Sequence, residues 1–258
     1  MTPLTSAQTE FIEAVVSLKP RVATFDCDGT LWSGDAGEGF FSWEMDQGLV
    51  SKEVANRMRS RYADYRVGRV TEDAMCGEMV TMHRGMREEL VQQACDAYFA
   101  LAIAPNIFRE MRELVGRLRA PGNASGNSNS DERGLGYASG CDVWAVSSSN
   151  QWIIRSAMHY FGVPKNRILA AEVAVENGII TDRLIRVPSG PGKVEAIRSV
   201  LPSSDHRPDC AFGNAIWDRE MLALARHAFA INPNPNLKEI ALANGWTVYQ
   251  PEPSHAGG

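Results

Sequence analysis

The hydrophobic pattern at the start of the chain changes from helical spacing to a continuous apolar run. Apolar residues recur at helical spacing over residues 5–18, and Thr5 with Gln8 suits a capping box at the start of this helix. The apolar run Val22–Phe25 follows and predicts a buried first strand over residues 22–26. The chain is therefore expected to begin with a helix that leads into a strand of the core.

Residues 36–119 show helical spacing and no convincing strand pattern. Glycines separate the helical stretches, and Ser51 and Thr71 are suitable N-cap residues. We predict four helices here, followed by a fifth over residues 106–119. Because no strand interrupts them, these helices are expected to form a helical insert, or cap, between the first and second strands.

Strands and helices alternate from residue 142 onward. In order, the pattern predicts strand 143–146, helix 151–161, a hairpin over 169–186 that turns at Asn177-Gly178, helix 193–200, strand 210–213, helix 215–226, strand 228–231, helix 236–244 and strand 246–249. Strands separated by helices imply a parallel sheet with helices on both faces. We therefore predict an α/β protein with a core domain, residues 1–34 and 120–258, and an all-helical cap domain, residues 35–119.

Composition is that of an ordinary globular protein. Of the 258 residues, 44% are hydrophobic and 22% are charged, and the formal net charge is −5. This charge gives no reason to expect a nucleic acid or an anionic membrane as a partner. The five cysteines form no Cys-x-x-Cys pair, which favours buried thiols in a reducing compartment.

Two further features bear on location and flexibility. The first residues lack the stretches of a signal peptide, and no run has the length of a membrane span, so a soluble cytoplasmic protein is expected. Residues 121–140 are rich in Gly, Ser and Asn and are expected to form a mobile surface loop. We assign no function to this loop or to its Asn123-Ala124-Ser125 sequon. The patterns do not set the oligomeric state.

Asp26 and Asp28 stand two residues apart where the first strand ends, in the sequence Asp26-Cys27-Asp28-Gly29-Thr30. Side chains at i and i+2 of an extended strand share a face. Two carboxylates this close ionise together only when a cation or a proton lies between them. The pair therefore predicts a divalent metal site, an acid/base pair, or both. The alternative is a solvated loop or a calcium-type ligand pair.

Ser147 and Asn214 follow later strands in the same way that Asp26 follows the first. In open parallel sheets the ligand binds at the carboxyl ends of the strands, so these three residues are expected to meet at one site. Lys193 begins a predicted helix in the sequence Gly190-Pro191-Gly192-Lys193, where the helix dipole and the ammonium act together on an anion. Ser147 is otherwise a helix N-cap candidate, and Lys193 is otherwise a surface lysine.

The order of these motifs resembles that of the haloacid dehalogenase superfamily, on its phosphatase branch, with a helical cap of the phosphoserine phosphatase type after the first strand. Four motifs carry the resemblance: Asp26-Cys27-Asp28-Gly29-Thr30, Ser147 after Val-Trp-Ala-Val, Lys193, and Gly213-Asn214-Ala215-Ile216-Trp217-Asp218. The resemblance covers essentially the whole chain and implies a Rossmann-like core sheet.

The same resemblance implies roles for the motif residues. Asp26 would be the nucleophile that forms an aspartyl-phosphate, and Asp28 would be the general acid/base. The remaining implied ligands are Thr30, Ser147, Ser148 and Lys193 for phosphate, and Asp26, Asp28 and Asn214 for Mg²⁺. The physical chemistry agrees, because a carboxylate attacks phosphorus only when the charges on both groups are offset by a metal ion and a lysine.

One position departs from the family pattern. Most of the family carries aspartate where this chain has Asn214. An amide oxygen still binds Mg²⁺, but one negative charge is lost, so the affinity for Mg²⁺ is expected to fall. Asp209 does not replace the lost charge, because it lies at the opposite end of its strand. Asp218 is expected to orient metal-bound waters or Lys193 from behind the ligands.

The entrance to the predicted cap, Leu31–Trp43, mixes carboxylates with aromatic rings. Asp35, Glu38, Trp32 and Phe40 are candidate substrate contacts, since aromatic faces and carboxylates suit an amine or a quaternary ammonium. The pattern resembles that of phosphatases acting on phosphoserine- or phosphocholine-like molecules. The alternative is that the aromatic residues form the buried stripe of a cap helix.

These observations favour an Mg²⁺-dependent phosphomonoesterase that acts on a small soluble phosphate ester through phospho-Asp26. One alternative is transfer of the phosphoryl group to an acceptor other than water. Another is a phosphate-binding or regulatory protein weakened by the change at Asn214. A dehalogenase fits less well, because a halide needs no proton from Asp28. His83-Arg84 is expected to be an exposed helix terminus, with binding of a substrate carboxylate as the alternative.

Overall fold

The computed structural model describes residues 3–120, 140–201 and 206–252, and within these ranges the chain forms ten α-helices and seven β-strands. The helices are α1 (Ser6–Ser17), α2 (Ala36–Asp46), α3 (Lys52–Arg66), α4 (Glu72–Thr81), α5 (Glu88–Tyr98), α6 (Arg109–Arg119), α7 (Gln151–Tyr160), α8 (Pro191–Val200), α9 (Arg219–Leu224) and α10 (Pro235–Ala243). The strands are β1 (Val22–Phe25), β2 (Asp142–Asn150), β3 (Ile168–Glu176), β4 (Ile179–Arg186), β5 (Cys210–Gly213), β6 (His227–Ile231) and β7 (Thr247–Tyr249).

The described strands form one sheet in the order β4-β3-β2-β1-β5-β6-β7. Neighbouring strands are parallel except β3 and β4, which form the antiparallel hairpin predicted around Asn177-Gly178. β1 lies at the centre, where Phe25 is aligned with Ala145 of β2 and with Phe212 of β5. The prediction of an α/β fold with a largely parallel sheet is confirmed.

Apolar side chains cover both faces of the sheet. One cluster joins the sheet to α1, α6 and α7, with Phe11 and Trp152 among its members. The other joins it to α8, α9 and α10 through residues such as Ile197 and Leu237. Because the strands are buried on both faces, their sequences are continuous apolar runs, as expected for parallel strands.

The helical insert between β1 and β2 is also as predicted, with α2 to α5 and then α6. Thr71 caps α4 through the N–H of Ala74, and Ser51 caps α3 through the N–H of Val54, as the sequence indicates. Helices α2, α3 and α4 enclose their own apolar cluster. Helix α6 instead packs on α1, where Gln8 Nε2 donates to Glu110 Oε2 at 3.1 Å.

Two predicted elements differ from the structure at their boundaries. The fifth helix was expected from residue 106, but α6 begins at Arg109, because a π-helical turn (Phe99–Ile103) and a 3₁₀ turn (Ala104–Asn106) that contains Pro105 precede it. The helix predicted over 215–226 is instead a 3₁₀ turn (Ile216–Asp218) followed by the short α9.

The expected surface loop, residues 121–140, lies outside the described residues except for Gly140. The five cysteines all lie in described segments and are unpaired, and four of them are buried. Among the helices of the described ranges, none combines the length and the apolar character needed to cross a bilayer.

Candidate active site

The carboxyl ends of the central strands bring the predicted site residues together. Asp26 follows β1 directly, and its N–H donates to the carbonyl of Phe212 at 2.9 Å, which aligns it with the end of β5. A cavity of about 380 Å³ opens here, which we call the strand-end cavity. The predicted site residues that line it are Asp26, Asp28, Asp35, Ser147, Ser148, Lys193, Asn214 and Asp218.

Both carboxylate oxygens of Asp26 are held in place. Oδ1 accepts a hydrogen bond from Lys193 Nζ at 2.7 Å, and Oδ2 accepts one from Thr30 Oγ1 at 2.8 Å. Burial, followed by the nearby Asp218 carboxylate, raises the pKa of Asp26 to about 6, although Lys193 and Thr30 oppose the rise. Asp26 is therefore a fixed carboxylate that still ionises near neutral pH.

Lys193 lies buried between two carboxylates. Its Nζ donates to Asp26 Oδ1 at 2.7 Å, to Asp218 Oδ1 at 2.6 Å and to the carbonyl of Val146 at 2.9 Å. Burial alone would lower the pKa of this ammonium, but the Asp218 and Asp26 carboxylates outweigh burial and raise it. The three donors of the ammonium are thus all used, and Lys193 stays charged.

Asp218 connects this lysine to the loop after β5. Its Oδ2 accepts hydrogen bonds from the N–H groups of Asn214 and Ala215 at 2.8 and 2.9 Å, while Oδ1 binds Lys193. These contacts draw the chain into a tight turn, which is the physical reason that a regular helix does not begin at residue 215. The Asp218 carboxylate therefore positions both the Lys193 ammonium and the backbone of Asn214.

Asp28 occupies a different environment from Asp26. Its Oδ1 accepts hydrogen bonds from Trp32 Nε1 at 2.8 Å and from the N–H of Ala36 at 2.6 Å, and its Oδ2 lies 2.6 Å from Ser149 Oγ. Burial, followed by the Asp35 carboxylate, raises the pKa of Asp28 to about 8. Asp28 thus holds a proton near neutral pH, as a general acid must.

Three consecutive serines at the end of β2, Ser147, Ser148 and Ser149, line the strand-end cavity, and the sequence had predicted only the first two as site residues. The pairing of β2 with β3 shifts register between Val146 and Asn150, and such irregularities redirect side chains near active sites. Ser147 Oγ accepts the N–H of Ser149 at 3.1 Å, and Ser148 and Ser149 also line the cavity. Ser149, which contacts Asp28, was not among the predicted site residues, although its position two residues after Ser147 places both on one face of a regular strand.

Three predicted contacts lie elsewhere. Thr30 is fully buried and binds Asp26, so it positions the carboxylate rather than lining the cavity. Trp32 is buried and donates to Asp28. Phe40 is buried against Trp43 and Tyr98, which agrees with the alternative of a buried aromatic stripe.

The expectation for His83-Arg84 was wrong for the histidine. His83 is fully buried, and its Nε2 lies 2.6 Å from Glu44 Oε2, because α2 and the end of α4 pack together at this point. Arg84 is exposed, as expected of a helix terminus, and pairs with Asp182 at 2.7 Å.

The oxygen atoms around Asp26 suit a small hard cation. Among the described residues, no group of three or more His, Cys, Asp or Glu side chains is arranged as a metal site. The donors that the resemblance implies are the Asp26 carboxylate, the Asp28 carbonyl and the Asn214 amide oxygen, and all three residues line the strand-end cavity. Mg²⁺ prefers oxygen ligands and keeps several waters. The Asn214 side chain hydrogen bonds to no described residue and packs over Gly29 (φ +71°), where a Cβ would lie 1.8 Å from Asn214 Nδ2. This donor set fits Mg²⁺ with one charge fewer than an aspartate would give.

We expect Asn214→Asp to tighten Mg²⁺ binding by about tenfold, because it adds a charge to the donor set. Titration calorimetry of both proteins with Mg²⁺ measures the change directly. Asn232→Asp is the control, since Asn232 lines the same cavity but is not an expected ligand. An unchanged dissociation constant for Asn214→Asp would remove Asn214 from the ligand set.

A second cavity, of about 200 Å³, lies between the cap helices and the strand-end cavity, and we call it the cap cavity. It shares Asp35, Glu72, Ser148 and Ser149 with the strand-end cavity, so the two spaces adjoin. Glu38, which was predicted to contact the substrate, lines only the cap cavity. Glu72 was not predicted, since an acid in the first turn of a helix ordinarily serves the helix dipole.

Comparison with known proteins gives distant relatives along most of the chain. No protein-family model matches it. A probable phosphatase of Mycobacterium tuberculosis is 24% identical over 239 residues, which cover 89% of this chain and 76% of the relative. A histidinol-phosphatase of Neisseria meningitidis is 24% identical over 237 residues, which cover 88% of this chain and 97% of the relative.

Solved structures resemble the whole architecture. A Bordetella pertussis protein of unknown function aligns with a TM-score of 0.70 and 21% identity over 89% of this chain and 97% of that chain. A HAD-family hydrolase of Salmonella enterica serovar Typhi aligns with a TM-score of 0.57 and 13% identity over 93% of this chain and 77% of that chain. The chain has the haloacid dehalogenase fold. A phospho-aspartyl intermediate analogue of phosphoserine phosphatase shares this fold, with a TM-score of 0.55 and 16% identity over 90% of this chain and 94% of that chain.

Proposed function

We propose that the protein is a Mg²⁺-dependent phosphomonoesterase that acts on a small, amine-bearing phosphate ester through an aspartyl-phosphate on Asp26. The observation that carries the proposal is the arrangement of Asp26 and Asp28. Lys193 holds the Asp26 carboxylate at 2.7 Å, and burial raises the pKa of Asp28, which lines the same cavity, to about 8. The phosphatase names of the Mycobacterium and Neisseria relatives support the same reaction.

In the first step, an Asp26 oxygen attacks the phosphorus atom, and the bond between phosphorus and the ester oxygen breaks. Asp28 gives its proton to the departing oxygen, so the alcohol leaves neutral. General acid help of this kind is typically worth ~10²–10⁴ in rate. Lys193 stays bound to Asp26 and offsets the negative charge that accumulates as the two anions approach.

In the second step, water attacks the phosphorus atom of the aspartyl-phosphate. Asp28, now ionised, takes a proton from this water, and the bond between phosphorus and the Asp26 oxygen breaks. Inorganic phosphate leaves, and both aspartates return to their starting forms. Ser149, at 2.6 Å from Asp28 Oδ2, keeps the carboxyl in one orientation through both transfers.

Mg²⁺ would be held by the Asp26 carboxylate, the Asp28 carbonyl and the Asn214 amide oxygen. When bound, it supplies charge neutralisation that the single lysine does not provide alone. The predictions of a cytoplasmic location and of no nucleic-acid or membrane partner rest on the sequence and stay predictions.

The proposed substrate bears an amine because the space next to Asp28 is acidic. Asp35 and Glu72 line both cavities, and Glu38 lines the cap cavity. A protonated amine on the leaving alcohol would be attracted to these carboxylates. The names of the Neisseria relative and of the phosphoserine phosphatase structures specify phosphate esters that carry amines.

The test is hydrolysis of para-nitrophenyl phosphate by the purified protein, with Mg²⁺ and with EDTA. We expect turnover that requires Mg²⁺, and a phosphorylated protein after rapid acid quenching. Transfer to an added alcohol in place of water would favour the phosphoryl-transfer alternative. Absence of both turnover and phosphorylated protein would favour the phosphate-binding alternative, in which the change at Asn214 has weakened catalysis.

A further inference from the structure

The Asp28 carboxyl is held by groups from two parts of the fold. Its Oδ2 lies 2.6 Å from Ser149 Oγ at the end of β2. Its Oδ1 accepts the indole N–H of Trp32 at 2.8 Å and the backbone N–H of Ala36 at 2.6 Å. Ala36 is the first residue of α2, the first helix of the cap insert. The group proposed to protonate the leaving oxygen is therefore oriented jointly by the core sheet and by a cap helix.

The first turn of α2 lies directly against Ser149. Gly37, the second residue of this helix, is buried. A Cβ at position 37 would lie 2.4 Å from Ser149 Oγ and 3.2 Å from Ser149 Cβ, whereas ordinary contacts of this kind begin at about 3.4 Å. The helix thus approaches the end of β2 more closely than any side chain at position 37 would allow.

The backbone conformation gives no other reason for glycine at this position. Gly37 lies within α2, and it is not among the glycines with a positive φ. Inside a helix, glycine is the least favourable residue after proline, because it loses the most conformational freedom. The close approach to Ser149 is therefore the physical reason that a residue without a side chain stands here.

A side chain at position 37 would disturb Asp28 whichever way the clash is relieved. If α2 retreats by roughly 1 Å to restore an ordinary contact, it carries the N–H of Ala36 away from Asp28 Oδ1. If Ser149 instead rotates its hydroxyl aside, Asp28 Oδ2 loses that partner. Each response removes one of the hydrogen bonds that hold the carboxyl in place.

We propose that Gly37 is a positioning residue for the general acid: because it lacks a side chain, the N-terminus of α2 seats against Ser149 and brings the N–H of Ala36 to Asp28. This inference rests on the proposed function, since it concerns the acid of that reaction. The seating of α2 matters most for esters whose leaving oxygen is strongly basic, because such an oxygen has to be protonated as its bond to phosphorus breaks. An ester with a weakly basic leaving group depends much less on Asp28.

The dependence of kcat/KM on the leaving group tests this role at one fixed pH. Phenyl phosphate and para-nitrophenyl phosphate have similar shapes, but phenolate is a much stronger base than para-nitrophenolate. In the proposed reaction, kcat/KM covers only the steps up to the departure of this group. We expect Gly37→Ala to lower kcat/KM for phenyl phosphate ~10-fold or more beyond any change for para-nitrophenyl phosphate.

Gly116→Ala is the matched control. Gly116 is an exposed glycine inside α6, where a Cβ would meet open space, so this variant should keep the wild-type ratio of the two kcat/KM values. An equal change for both esters in Gly37→Ala would mean that the substitution alters binding or folding and not the acid, which would overturn the inference. Failure of the wild-type protein to hydrolyse either ester would instead overturn the proposed function.

Ser149→Ala tests whether the contact with Gly37 is the cause. Alone, it takes the hydroxyl away from Asp28 and should lower the ratio for phenyl phosphate over para-nitrophenyl phosphate. Combined with Gly37→Ala, it also removes the atom that the added Cβ would strike, and it leaves only the 3.2 Å contact with the Cβ of residue 149. The double variant should therefore match Ser149→Ala. A ratio that falls by the product of the two single effects would show that the sites act independently, against the inference.

If Gly37→Ala does not fold, Ser149→Cys replaces it, because a sulfur atom is larger than the hydroxyl oxygen and presses on α2 from the side of the strand. We expect a lower ratio for Ser149→Cys than for Ser149→Ala. The smaller side chain leaves α2 seated, with the N–H of Ala36 on Asp28, whereas the larger one displaces the helix. Equal ratios for these two variants would overturn the inference.

Discussion

Asp26→Asn is expected to lower kcat for phosphomonoester hydrolysis by ~10⁴-fold or more while the fold is kept. The amide has the shape of the carboxylate but is not a nucleophile, so no aspartyl-phosphate forms. Thr30 can still donate to the amide oxygen, and Lys193 retains Asp218 and the Val146 carbonyl as acceptors. The measurement is para-nitrophenyl phosphate turnover with Mg²⁺, together with the mass of the protein after acid quenching.

The thermal midpoint separates chemistry from folding in this variant. The substitution removes a buried carboxylate that lies near Asp218, so we expect no large loss of stability. Asp182→Asn is the control, because this exposed aspartate pairs with Arg84 far from the site and should keep full activity. A phosphorylated protein recovered from Asp26→Asn would show that another residue is the nucleophile.

The sequence predicted the frame of the site because that frame follows from periodicity. Apolar runs and helical spacing predicted the order of helices and strands along the chain. Because β1 and β5 are parallel neighbours, the residues that follow them, Asp26 and Asn214, must lie at the same edge of the sheet. Helix caps such as Thr5 and Thr71 act within a few residues, so they too were predicted correctly. These features depend on local sequence or on topology alone.

The contacts that tune the site depend on tertiary packing and leave no such pattern. Ser149 hydrogen bonds to Asp28 although the two residues lie 121 positions apart in the sequence, and no local pattern marks such a contact. His83 looked like a helix terminus, yet the packing of α2 on α4 buries it against Glu44. Glu38 and Phe40 lie two residues apart on α2. The placement of this helix buries Phe40 and leaves Glu38 at the wall of the cap cavity. Side-chain roles within one helix therefore needed the structure.

Lys193→Met is expected to destabilise the protein as well as to inactivate it. The ammonium lies between the Asp26 and Asp218 carboxylates, and all three groups are buried. Removing the cation leaves two close anions without compensation, and breaking a buried charge pair in this way costs ~3–5 kcal/mol. At ~2–4 °C per kcal/mol for a chain of this size, the thermal midpoint in EDTA should fall by roughly 10 °C. Lys238→Met, at an exposed position, is the control and should change little.

The double variant Lys193→Met with Asp218→Asn tests the cause of that loss. If repulsion between the carboxylates is responsible, neutralising Asp218 should restore part of the thermal midpoint, because one uncompensated charge is then removed. Activity should stay ~10³-fold or more below wild type, since the cation that offsets charge at Asp26 is still absent. A midpoint no higher than that of Lys193→Met alone would mean that lost packing around the lysine stem, and not charge, sets the stability of this end of the sheet.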